Sequence, residues 1–353
     1  MKNIPEYISA IRPTDETAGE AAIQRWNAVA KPLGSLGCLE EALVRIAALR
    51  GSADFSLKKR ALLVFCADNG VVAQGVSQCG SEVTAKVAVA LSEGRSTANT
   101  MAKHANCRVL PVDVGIRDFP GHPGVRSMRV RNGTEDISSG PAMSREECLA
   151  AMERGAALAR ELADEGMDLI AVGEMGIGNT TTAAALAAAL LNLAPEKTVG
   201  RGAGLSTDGL RLKCETVRSA LRMNRVDHGD VIGVLAALGG LDIAAMCGAF
   251  LGAASCRIPA VIDGMISAVA ALCAKRLCPD AGNAMLASHI SSEPGGRMIL
   301  DELGLCAPLD AGMHLGEGTG ALMLMPLLDM AWEVYQNGQN FERLGIEAYQ
   351  PLT

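Results

Sequence analysis

The sequence predicts an α/β fold built on a mostly parallel sheet, with a smaller helical appendage. Three observations carry this expectation. The chain has 353 residues, enough to bury a large core. Short continuous apolar runs of strand length alternate with longer runs of helix length, which is the pattern of βαβ units joined by right-handed crossovers. Hydrophobic residues make up 49% of the chain and aromatics only 3%, so Ala, Leu, Val, Met and Gly must do the packing.

Taken in order, Cys38–Ala48 reads as an amphipathic helix after the Gly-rich turn Lys31–Gly37. Ala61–Ala67 is a continuous apolar run ending in Asp68-Asn69-Gly70, as expected of a buried strand followed by a loop. A helix is predicted over Val83–Ala102 and a strand over Arg108–Val114. Gly115–Ser139, polar and rich in Gly, Pro and Arg, is expected to be irregular or a small antiparallel element. Ser144, followed three residues later by Glu147, forms a capping box that opens a helix reaching Glu165. Asp168–Val172 is a strand, Thr180–Leu193 a helix, and Thr207–Met223 and Leu241–Ser255 two more helices. Ala260–Asp263 and Ala284–His289 read as strands, Ile266–Lys275 and Gly296–Leu303 as helices, and a last helix begins near Gly320.

A formal charge of −7 excludes a general nucleic-acid surface. Any anionic substrate must be held locally, by backbone N–H groups and one or two cations. The eleven cysteines include no CxxC pair and no zinc spacing, which fits a reducing cytosol and predicts neither metal nor cofactor. Residues 1–25 lack the apolar stretch of a signal peptide. The apolar segment Val231–Ala274 is cut by Asp242, Arg257, Asp263 and Gly239-Gly240, so buried helices are expected rather than a membrane span.

Ligands of such sheets bind beyond the carboxyl ends of the strands, and four loops there carry candidate chemistry. Gly173–Thr182 places glycines before a helix start, where free N–H groups and the dipole suit a phosphate. The same residues also read as an ordinary cap by Asn179 and Thr180, and they match neither the P-loop nor the dinucleotide fingerprint. Gly200–Gly204 leads to a helix bearing Lys213, a candidate phosphate cation, although a lone helical lysine is more often solvated surface. Ser288–Gly296 offers hydroxyl donors and equally reads as a well-capped helix start. Leu315–Gly320 flanks Glu317 with glycines, leaving room for a substrate against a carboxylate whose pKa an enclosed pocket would raise. An exposed turn is the plainer reading of that loop. His314 beside it reads as a base or as a surface residue.

Taken together, these loops, with Lys31-Pro32, Gly34–Gly37 and Gly239–Ala244, resemble the nicotinate-nucleotide:dimethylbenzimidazole phosphoribosyltransferases over nearly the whole chain. The resemblance implies a doubly wound, Rossmann-like large domain over residues 60–320. A small helical domain is then expected from residues 1–59 and 321–353, in a homodimer. It implies transfer of phosphoribose from nicotinate mononucleotide to 5,6-dimethylbenzimidazole, with inversion at C1′ and release of nicotinate. The catalytic carboxylates fall on Glu317, as base, and Glu174. The donor is expected against Gly176, Asn179, Thr180, Gly202, Lys213, Asp263, Gly264, Ser291 and Ser292, and the acceptor against Met175, Lys86 and Leu315. Nicotinate departs from an already cationic ring nitrogen, so no general acid is needed. A monophosphate can be neutralised by one lysine and N–H groups.

Several positions depart from the family pattern. Asn69 stands in place of histidine, Leu33 and Cys38 in place of proline and arginine, Asp242 in place of glutamate, and His314 in place of arginine. Cys79, Gly80 and Lys86 occupy a stretch that normally carries aromatic, proline and glutamine residues. Some relatives attach phenol or p-cresol and work as pairs of non-identical subunits, so a phenol-transferring heterodimer with a paralogue is the alternative. Lys86 would then stabilise phenolate, whose parent pKa is near 10. A non-catalytic subunit is a further alternative, weakened by the retained Glu317 and donor loops. A nucleotide-binding oxidoreductase fails on the missing fingerprint.

Overall fold

Six strands form one sheet in the order β3-β2-β1-β4-β5-β6, and every neighbouring pair is parallel in the computed structural model, which describes residues 2–349. The strands are β1 (Arg60–Ala67), β2 (Cys107–Gly115), β3 (Arg126–Ser127), β4 (Leu169–Met175), β5 (Ala260–Ile262) and β6 (Met285–Ala287). This is the doubly wound order, with its switch point between β1 and β4. The helices are α1 (Ile4–Ala10), α2 (Glu16–Ala28), α3 (Cys38–Arg50), α4 (Glu82–Ser92), α5 (Thr97–His104), α6 (Arg145–Asp164) and α7 (Asn179–Leu191). They continue as α8 (Thr207–Asn224), α9 (Val231–Leu238), α10 (Leu241–Ser255), α11 (Met265–Leu277), α12 (Gly295–Leu303), α13 (Thr319–Asn337) and α14 (Phe341–Leu344).

All eight residues of β1 are buried, because helices cover both faces of a central parallel strand. Ala61, Leu63, Phe65 and Ala67 face the core shared with α6, α7, α9, α10 and α11. Leu62, Val64 and Cys66 face the core of α3, α5 and α13. Each fully buried leucine of such a strand contributes about 1.5–3 kcal/mol. With few aromatics, packing relies on close backbone approach: a Cβ at Gly252 of α10 would lie 2.5 Å from the Ala156 carbonyl of α6. Helices α7 and α10 are almost entirely buried, and no helix of the structure is long and apolar enough to cross a membrane.

Helices α2 and α13 meet on one side, where Trp26 and Tyr335 pack edge to face at 5.1 Å and Val29 bridges to Asn340. Helix α1 lies elsewhere, against α6 and α10.

Two expectations are corrected. The helix over Val83–Ala102 is two helices, α4 and α5. Gly94 takes a φ of +73°, and Ser96 restarts the chain with a capping box to Asn99. The excursion Gly115–Ser139 contains β3, which pairs parallel, not antiparallel, with β2. The sequence reading also missed α1, although its capping box Asn3–Glu6 and Pro at the start are plain helix signals.

Candidate active site

The strand ends at the switch point open into one cavity. It is walled by the loops after β1, β4, β5 and β6 and by the Gly200–Gly204 turn. Glu174, the second-last residue of β4, reaches this space and is buried. Burial pushes its carboxyl up to about 8, against a hydrogen bond from the Asn179 amide that favours the anion. The neighbouring Asp242, at the start of α10, accepts from the same amide at 2.9 Å and is raised by burial to about 6. Asn179 is therefore a bridge between two carboxyl groups, and its amide is engaged before any donor arrives. Gly176 has a similar structural reason: a Cβ there would sit 2.5 Å from the Ala67 carbonyl and 2.7 Å from Asp242 Oδ2.

The side of the cavity that carries the lysine is built by α7 and α8. Lys213 is 0% exposed, which overturns the solvated-surface reading of that residue. It sits on α8, which packs against α7, and its Nζ donates to Thr180 Oγ1 at 2.8 Å. Burial lowers its pKa to about 8, with the Glu293 carboxylate opposing the fall. Gly202, at φ +53°, carries its backbone into the same space: a Cβ would meet Thr180 Oγ1 at 3.0 Å and Lys213 Nζ at 3.4 Å. Gly264, Ser291, Glu293 and His289 complete this wall. At Gly264 a Cβ would meet the His289 ring at 3.7 Å and Ser291 Oγ at 3.9 Å, ordinary van der Waals contact. Gln78 reaches across the mouth to donate to the Gly204 carbonyl.

Asp263 borders the cavity, but its carboxylate is occupied. It accepts from the N–H groups of Gly318 at 3.1 Å, Gly320 at 2.7 Å and Ala321 at 3.2 Å, capping α13 from a distant part of the chain. That clamp shapes the loop bearing Glu317. Glu317 holds a left-handed φ of +58° between Gly316 and Gly318, which are both left-handed as well. Its N–H donates to the Glu174 carbonyl at 3.2 Å. Its side chain is partly buried, which raises its pKa. The Ala98 N–H and the Ser96 hydroxyl, at the start of α5, oppose the rise. The two glutamates thus face different directions: Glu174 toward the cavity, Glu317 toward α5.

The other expected positions divide between the cavity and the surface. Lys86 is exposed on α4, where Thr84, Ala88 and Leu91 take the inward face, and it does not line the cavity. Ser292 is exposed and donates its N–H to the Met313 carbonyl, whereas Ser291 lines the wall. Met175 lines the cavity, and Leu315 stands at its rim, 54% exposed. His314 also borders the space. His289 and Glu293 were not singled out from sequence. The signal available was their place in the same strand-end loop as Ser291.

Comparison with known proteins gives a consistent result. A family profile described as Phosphoribosyltransferase matches residues 11–346. The chain is 43% identical over 328 residues to the nicotinate-nucleotide–dimethylbenzimidazole phosphoribosyltransferase of Acetivibrio thermocellus, covering 93% of each chain. It is 41% identical to the protein of that name from Chloroflexus aggregans, covering 98% of each. The crystal structure of CobT from Thermus thermophilus superposes with a TM-score of 0.89 at 40% identity, covering 94% of this chain and 100% of that one.

Proposed function

The chain belongs to the nicotinate-nucleotide:dimethylbenzimidazole phosphoribosyltransferase family, and from that membership we propose how its site divides the work. The reaction moves phosphoribose from nicotinate mononucleotide to dimethylbenzimidazole. The C1′–N bond to nicotinate breaks, a C1′–N bond to the incoming base forms on the opposite face, and that base loses a proton.

Lys213, Thr180, Gly202, Gly264 and Ser291 take the phosphate and ribose. The observation that supports this is a fully buried ammonium in the same cavity as a left-handed glycine and the Thr180 and Ser291 hydroxyls. Burial strips the ammonium of water, and the donor phosphate supplies a charge-assisted contact in its place. Glu317 removes the acceptor proton. Glu174, raised by burial to about 8, keeps its proton at neutral pH and stands on the donor side as a neutral hydrogen-bonding carboxyl that orients the ribose. Met175 and Leu315 bound the acceptor. Ser292, exposed beside Ser291, holds its loop to residue 313. Asn179, Asp242 and Asp263 position these groups. Residues 60–320 serve as the catalytic unit and the chain ends as a helical unit of a homodimer. A reducing cytoplasm is supported by eleven unpaired cysteines.

The phenol-transferring alternative finds no support in these relatives. The test is a product assay of the purified chain with nicotinate mononucleotide and a panel of benzimidazoles, purines and phenols. Transfer to a benzimidazole by this chain alone is expected. Transfer only to phenols, or only with a second polypeptide, overturns the reading.

A further inference from the structure

The cavity already contains an anion of its own. Glu293, on the loop between β6 and α12, turns its carboxylate back across the site, and Oε1 accepts the Gly202 N–H at 2.9 Å. Oε2 is buried and has no hydrogen-bond partner among the described residues. Gly200 is a glycine partly for this reason, since a Cβ there would lie 2.7 Å from the Glu293 carboxyl carbon and from Pro294 Cδ. The carboxylate belongs to the same wall as Lys213 and is the charge that acts most strongly on that ammonium. One of the groups assigned above to the donor phosphate, the Gly202 N–H, is thus engaged by an internal acid, and a second, the Lys213 ammonium, shares its wall.

We propose that Glu293 is a stand-in for the donor phosphate: it keeps the Gly200–Gly204 turn and Lys213 organised in the empty enzyme and competes with the phosphate for them. The inference rests on the assignment of Lys213 and Gly202 to the donor. An N–H donor with one proton cannot serve a carboxylate and a phosphate oxygen equally well. Two anions sharing one buried ammonium also repel each other in a space with little water. The donor must therefore push the carboxylate aside, and part of its binding free energy is spent on that displacement. The gain is a phosphate cradle that does not collapse or fill with stray anions between turnovers. The same negative group opposes donors with a more highly charged tail, such as a pyrophosphate, which bring a second charge toward it.

The amide of glutamine keeps a carbonyl oxygen for the Gly202 N–H and removes only the charge, so Glu293→Gln separates competition from loop support. Equilibrium binding of nicotinate mononucleotide, without acceptor, is measured by calorimetry for the wild type, E293Q, E293A and K213M. Competition by inorganic phosphate is measured in parallel. E293Q is expected to bind the mononucleotide and inorganic phosphate about three- to tenfold more tightly, with the gain shrinking at high salt. E293A, which loses the loop contact too, is expected to gain less than E293Q. Affinity of E293Q equal to or weaker than wild type, in a variant whose melting temperature is unchanged, overturns the proposal. A shared loss of melting temperature and affinity would be decided by phosphate competition in E293D, where retained charge must keep phosphate binding weak. Undiminished binding by K213M would instead overturn the donor assignment itself, so the two failures are distinguishable.

Discussion

The backbone N–H of Glu317 donates to the carbonyl oxygen of Glu174 at 3.2 Å, so the two glutamates are joined through the main chain while their carboxyl groups point apart. One main-chain bond ties the C-terminal end of β4 to the loop that starts α13. Movement of either side chain's support is therefore felt by the other, and substitutions at the two positions should not add independently.

Glu317→Gln is expected to lower kcat by roughly 10²–10⁴-fold, the usual range for removal of a general base. Binding of nicotinate mononucleotide should change less than about threefold, because this side chain faces α5 and not the donor cavity. Single-turnover rates alongside calorimetric binding check both halves. Near-normal turnover refutes the role.

Lys213→Met should raise KM for nicotinate mononucleotide about 10–100-fold, through loss of a charge-assisted contact in a buried setting. The folded-state pKa of Lys213 is depressed to about 8. In the free enzyme the ammonium is therefore lost as pH climbs through that value, and donor affinity should weaken from pH 7.5 to 9.5. Calorimetric titrations at several pH values would show the limb, and K213M should lack it.

Glu174→Gln should stabilise the protein selectively at alkaline pH. Burial raises this carboxyl from an ordinary 4.5 to about 8. A raised acid contributes its full stability below the unfolded value, and that contribution is lost as pH rises through the folded one. The variant carries no such loss. Its melting temperature should match wild type near pH 4.5 and exceed it by roughly 2–5 °C at pH 8.5, as scanning calorimetry would show.

Gly316→Ala should cost about 1–2 kcal/mol from its left-handed φ of +86° alone. The added Cβ would also sit 2.7 Å from Glu174 Oε1, forcing that carboxyl aside. Denaturant melts should show the stability loss, and kcat should fall more than melting explains.

Strand–helix alternation and capping residues announced most of the architecture, because both are local. The continuous run Ala61–Ala67 and the Ser144–Glu147 box are examples. The break between α4 and α5 was hidden inside one helix-like stretch, although Gly94 and Ser96 marked it. At the site, the loops were legible as candidates, but not the direction in which their side chains turn. Asp263 was legible as a residue of the donor cavity, which it lines, but not as the acceptor of three N–H groups more than fifty residues away. Lys213 looked solvated because its enclosure depends on α7, which is distant along the chain. Lys86 faces outward because the helical phase of α4 gives the inward row to Thr84 and Ala88. Such facts belong to tertiary packing, and one sequence carries them only through motifs.

The central position of β1 also bears on how the protein is made. Its β2 edge finds a partner within about fifty residues of chain, while the other edge waits for Leu169–Met175, more than a hundred residues later on the ribosome. Throughout that interval the nascent chain exposes the open side of an eight-residue apolar strand that ends up wholly buried. Such an edge invites pairing with other nascent chains, so elongation rate, temperature during expression and access to chaperones should govern the soluble yield of this protein more than its final stability does.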